Sequence, residues 1–150
     1  MKSVKEILCE QMHRQIYSVS PNQSVLSAAQ YMESKNIGAV PVVDHEKVVG
    51  IVSERDMLKK VLREGIDPRD TTVEKIMTRS FLVTFPDETI EDCLIKMRKA
   101  HCRHLPVLEE GVLLGTISLR DILGITEAEL LDDYLWNVRT RRRYSRVAIS

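Results

Sequence analysis

The chain has 150 residues, 43% of them hydrophobic and 29% charged, with 22 basic residues balancing 22 acidic ones. This is the composition of an ordinary soluble globular protein, sized for one compact domain or two small ones sharing a core. Its longest apolar runs are about five residues, against the roughly 20 needed to cross a bilayer, and no secretory leader pattern opens it. A cytoplasmic protein with no membrane partner is expected. The three cysteines, Cys9, Cys93 and Cys102, are odd in number and lack C-x-x-C spacing, as fits reduced thiols.

In chain order, Val4–Leu8 is a short lead-in. Ile16–Val19 is a β-rich run closed by Pro21. Val25, Ala28, Ala29 and Met32 then fall on one face of a helix. Two strands follow, Ala39–Val43 and Val48–Val52, after which Ser53 opens a second helix through Met57, Leu58, Val61 and Leu62. Glu64–Asp70 is a polar linker. The order then repeats. Val73–Met77 resembles the lead-in, Phe81–Thr84 is the β-rich run, and Ile90, Cys93, Leu94 and Met97 mark the helix. Thr89 and Asp92 have capping-box spacing at that helix start. His104–Leu108 and Leu113–Ile117 are the strands, and Ser118 opens the closing helix.

Residues 21–57 recur without a gap at residues 86–122. The pairs Pro21/Pro86, Met32/Met97, Pro41/Pro106, Val42/Val107, Gly50/Gly115, Ser53/Ser118, Arg55/Arg120 and Asp56/Asp121 are identical, where ordinary composition gives roughly two matches. The lead-ins match at a different offset (Val4 to Val73), so the first copy carries extra residues near Glu10–Arg14. The expected fold is α/β (α+β-like), two β-α-β-β-α repeats about a pseudo-two-fold axis: residues 1–65, residues 66–125, then a C-terminal helix and basic tail over 126–150. One unit of this size buries too little surface to be comfortable alone; two packed together do better.

The family emerges at Gly50-Ile51-Val52-Ser53-Glu54-Arg55-Asp56 and Gly115-Thr116-Ile117-Ser118-Leu119-Arg120-Asp121, together with Asn36–Val42, Arg103–Val107 and Val73–Thr78. Over roughly residues 4–125 the chain resembles the tandem cystathionine-β-synthase-domain (CBS) pairs, or Bateman modules, of the small stand-alone kind. The resemblance implies a non-catalytic regulatory module that binds an adenosyl nucleotide (AMP, ADP, ATP or NAD(H)) between its repeats, forms homodimers and signals to a regulated protein that the sequence does not identify. A serine and an aspartate on a first helical turn, beside Arg55 or Arg120, suit a phosphate, and an ionised aspartate, an acceptor only, suits ribose hydroxyls. The implied ligand residues are Ser53, Arg55, Asp56, Ser118, Arg120, Asp121, Arg103 and His104, with Ile16, Ile37, Ala39 and Pro41 as an apolar wall. Leu82, Cys102 and Pro106 are the second copy's wall. Ser-x-x-Asp is also capping-box spacing, so a purely structural role stands beside the ligand role, and one serine can serve both.

The copies diverge at Gly38/Arg103 and Glu54/Leu119, so two unequal sites are expected, the stronger one using Arg103. No catalytic constellation is legible: no Walker loop, no G-x-S-x-G, and no histidine base near Ser53. His101-Cys102-x-His104 offers three donors, but strand alternation parts His101 from Cys102, and no metal is expected. Residues 139–150 hold five arginines and no acid. A solvated helix end explains this better than nucleic-acid binding. The alternative to a ligand sensor is a ligand-free dimerising scaffold.

Overall fold

The computed structural model describes residues 2–11 and 14–123; the helix expected from Thr126, the arginine tail and His13 lie outside them. Helix α1 is Val4–Glu10, α2 Val25–Lys35, and strands β1 (Ala39–Asp44) and β2 (Lys47–Ser53) form a hairpin. Helix α3 (Glu54–Met57) continues into a π-helical stretch, Leu58–Leu62. The second copy runs α4 (Val73–Ile76), α5 (Ile90–Ala100), β3 (His104–Glu109), β4 (Val112–Ser118) and α6 (Leu119–Leu123). Among the described residues no helix is long and apolar enough to cross a membrane.

The periodic helices form where expected. Val25, Ala28 and Met32 are buried on α2, as are Cys93 and Met97 on α5. Thr89 and Asp92 make a reciprocal capping box, which satisfies two of the backbone donors a helix start leaves open. Each of these helices ends in a left-handed residue, Asn36 or His101, and that reversal turns the chain into the hairpin. Both hairpin turns need positive φ at two residues, supplied by His45 and Glu46 in one copy and by Glu110 and Gly111 in the other.

The β-rich runs differ from expectation. Ile16–Val19 and Phe81–Thr84 form no strand; each makes one parallel bridge, Val19 to Val42 and Thr84 to Val107. Prolines stop both from growing. Val19 N–H donates to Pro41 O, and Val43 N–H donates to Val19 O. The next rungs would require N–H groups from Pro41 on one side and Pro21 on the other, which proline lacks. Pro106 and Pro86 repeat the arrangement.

The four strands lie in the order β1-β2-β4-β3, all antiparallel, the two hairpins touching at one pair, Lys47 and Val112. The cores are exchanged between copies. Val73, Ile76 and Met77 pack with Val25, Met32, Val40 and Val52 of the first copy. Val4 and Ile7 pack with Cys93, Met97, Leu105 and Ile117 of the second. Matching backbone bonds fix the exchange. Val4 N–H donates to Glu88 O and Ile90 N–H to Lys2 O, as Val73 N–H does to Gln23 O and Val25 N–H to Thr71 O. Each lead-in thus completes the other copy's core, so neither hairpin-and-helix unit closes its apolar face by itself.

Candidate functional site

The exchange leaves a cleft of about 860 Å³ between the copies. Its apolar wall is Ile16, Ile37, Ala39 and Pro41 of the first copy; its polar wall is Arg103, His104, Ser118, Arg120 and Asp121 of the second. Register brings the polar residues together: His104 opposes Ser118 across β3 and β4, and α6 begins one residue after Ser118. Nine of the fifteen residues singled out from the sequence line this one cleft. Ser53, Arg55, Asp56, Leu82, Cys102 and Pro106 do not.

Asp121 is the only acidic residue of the lining among the described residues. Its Oδ2 accepts the Ser118 N–H at 2.8 Å, and Ser118 Oγ accepts the Asp121 N–H at 3.1 Å. The capping role is therefore present. Its Oδ1 accepts from Arg14 Nη1 at 2.8 Å, and the Gln11 side chain donates to the same carboxylate. Burial pushes this carboxyl up, but the Ser118 side-chain and backbone bonds, Arg14 and Gln11 outweigh it and hold the pKa below the usual aspartate range. His104 is lowered, first by desolvation and then by Arg103 and Arg120, with Asp121 opposing; its imidazole is neutral at pH 7. Arg103 is exposed and has no ion-pair partner among the described residues.

The equivalent first-copy residues are arranged differently. Asp56 Oδ2 accepts from Ser53 N–H at 2.9 Å and Ser53 Oγ at 3.0 Å. Its Oδ1 accepts from Thr78 Oγ1 at 3.0 Å and Lys60 Nζ at 2.9 Å. Both oxygens are engaged, as in Asp121, but Thr78 and Lys60 stand where Arg14 and Gln11 stand in the other copy, and Asp56 does not line the cleft. Thr78 is held there because its backbone pairs with Ile51 in both directions, a bridge with no counterpart on Thr116 among the described residues. Thr116 instead lines the cleft. Cys102 is half-buried against the second core, Pro106 lies buried in β3, and Leu82 and Arg55 are exposed.

Sequence reasoning missed Gln11, Arg14, Tyr17 and Thr116 as cleft residues. The signal was present in the longer first-copy connector near Glu10–Arg14, which carries two of them.

The CBS-domain family model matches residues 4–63 and again 73–127. The chain belongs to the CBS-domain family. It is 32% identical to the CBS domain-containing protein YhcV of Bacillus subtilis over 122 residues, 81% of this chain and 84% of that protein. The CBS pair resembles the structure of a putative signal-transduction protein with CBS domains from Burkholderia ambifaria at TM-score 0.75 and 38% identity, covering 81% of this chain and 91% of that one. It also resembles the CBS pair of protein MJ0100, solved in complex with 5-methylthioadenosine and S-adenosyl-L-methionine, at TM-score 0.70 and 31% identity over 81% of this chain and 93% of that one.

Proposed function

We propose that the CBS pair is a non-catalytic regulatory module that binds an adenosyl nucleotide in the cleft on Asp121. The observation that carries this is the composition of the two walls: an apolar face from one copy opposite a buried carboxylate and basic side chains from the other. A flat base suits the first, a ribose diol suits Asp121, and Arg103 and Arg120 suit a phosphate. The adenosyl ligands in the MJ0100 structure support the same chemical class. The functional unit is the pair of repeats, residues 1–65 with 66–125, because the cleft and both cores need both. AMP, ADP, ATP and NAD(H) are the candidate ligands, and a cytoplasmic nucleotide sensor passing its state to a regulated protein is the role that follows.

Calorimetry and thermal shift with AMP, ADP, ATP, NAD(H) and S-adenosylmethionine test this, since a ligand of the native state raises its stability. At least one should bind, and Asp121→Ala should weaken it about 10-fold to 100-fold, the worth of hydrogen bonds to a charged group. No binding at millimolar concentration sinks the reading. It would favour the second one, a dimerising scaffold, for which the 60% and 69% exposure of Leu58 and Leu62 on one helical stretch speaks. A homodimer is compatible with both.

A further inference from the structure

We propose that Arg14 decides which class of adenosyl ligand the cleft accepts, by requiring the ligand to carry negative charge. This rests on the nucleotide reading of the same cleft.

The Asp121 side chain is 4% exposed and that of Arg14 is 65% exposed. Arg14 is thus a solvent-facing cover on a buried acceptor, reaching it from the connector that is longer than its second-copy counterpart. A ribose diol needs two of the roughly four acceptor positions of a carboxylate, and Ser118 N–H, Gln11 and Arg14 already hold three, the exposed Arg14 being the one with solvent to move into. The ligand must therefore displace Arg14. Once displaced, the guanidinium finds no other carboxylate among the described lining residues, only the cations Arg103 and Arg120 and the neutral imidazole of His104. A guanidinium among like charges is stabilised by a phosphate, which it binds in bidentate fashion.

A nucleotide brings that anion with it, so the lost ion pair is replaced. Adenosine is neutral and a sulfonium adenoside is cationic at sulfur. Adenosine breaks the Arg14–Asp121 pair and puts nothing in its place; S-adenosylmethionine offers a carboxylate, but its sulfonium and ammonium leave it net cationic and repelled by Arg14 and Arg103. Arg14 thereby disfavours the uncharged and cationic adenosides while leaving phosphorylated ones favoured, which is specificity by opposing the wrong ligand. The cleft is expected to differ here from that of MJ0100, whose bound ligands are a neutral and a sulfonium adenoside.

Calorimetric titration of the full chain with AMP, adenosine and S-adenosylmethionine decides the matter, using wild type, Arg14→Gln, Arg14→Lys and Arg79→Gln. Arg79 stands at the equivalent place in the second copy and pairs with Glu74. Wild type should prefer AMP to adenosine at least about 10-fold, the value of one charge-assisted contact. Arg14→Gln should shrink that preference by about the same factor, with adenosine binding more tightly and AMP more weakly. Arg14→Lys should keep most of the preference, and Arg79→Gln all of it. If Arg14→Gln weakens AMP and adenosine equally, or changes neither, Arg14 is structural or irrelevant, and this inference fails while the nucleotide reading survives. If wild type binds none of the three and none of the larger nucleotides, both fail together.

Discussion

Asp56 and Asp121 occupy the same position of the repeat, yet one is a structural tie and the other faces a cleft. The capping serine, its bonds to the aspartate and the glycine-bearing strand before it are shared. What differs is the neighbouring lead-in. The short connector after α4 zips Thr78 onto Ile51 and delivers a hydroxyl to Asp56 Oδ1, which Lys60 also meets. The longer connector after α1 forms no such bridge among the described residues and offers Gln11 and Arg14 instead. A duplicated motif thus acquires two fates through a few residues in a segment that belongs, by packing, to the opposite copy.

Exchanging the two aspartates for asparagine should separate those fates most clearly. Asp56→Asn leaves Lys60 without its anion and weakens the bonds from Ser53 and Thr78, so a loss of about 2 kcal/mol in denaturant unfolding is expected. Nucleotide affinity should stay within about threefold, because Asp56 does not line the cleft. Asp121→Asn should do the reverse, with a large affinity loss and a smaller stability loss, since Arg14 remains solvated when its partner goes. Two variants with the same profile would mean that the aspartates are not differentiated at all.

The equivalent glycines sharpen the contrast on purely steric grounds. A Cβ on Gly50 would lie 2.6 Å from Met77 Sδ and 3.2 Å from Thr78 O, a backbone atom of the zipped connector. One on Gly115 would meet, among the described residues, only Leu8 Cδ2, at 3.1 Å, the end of a flexible side chain. Overpacking of the first kind costs about 1–3 kcal/mol. Gly50→Ala should therefore unfold at clearly lower denaturant than Gly115→Ala, whose cost should stay below about 1 kcal/mol. Equal midpoints would show that both connectors give way alike.

Much of this was legible in the residues. Helix periodicity, caps and the two paired strands of each copy follow from local rules repeated twice, and the duplication made each copy a check on the other. The motif residues of the second copy do meet the apolar residues of the first in one cleft. Two things were not legible. The prolines that limit Val19 and Thr84 to single bridges act through pairing register, which no run of β-formers reveals. The closing of Asp56 by Thr78 and Lys60 depends on which copy each lead-in packs against, a long-range choice that similar lead-in sequences leave open. The extra residues near Glu10–Arg14 were visible as a length difference; their consequence required knowing that they sit over Asp121.

The smallest effect concerns pH, and here the copies differ because His104 stands where the first copy has Ala39. Desolvation, Arg103 and Arg120 lower the imidazole pKa, against the pull of Asp121. A folded-state pKa below the unfolded value means that the unfolded chain binds protons more readily. The native state then keeps its full stability above the unfolded value near 6.5 and loses some as pH falls through the folded one. Asp121, also lowered, adds a second loss at more acid pH, as its carboxylate protonates and the Ser118 and Arg14 bonds weaken. Unfolding midpoints measured from about pH 7.5 to about pH 2 should decline modestly in wild type down to about pH 5 and further below it, and His104→Ala should flatten the first stretch while leaving the acid limb in place. Asp121→Asn should flatten the acid limb instead. A His104→Ala curve parallel to wild type would mean that the imidazole is as well solvated as in the unfolded chain, and that the basic wall of the cleft does not crowd it.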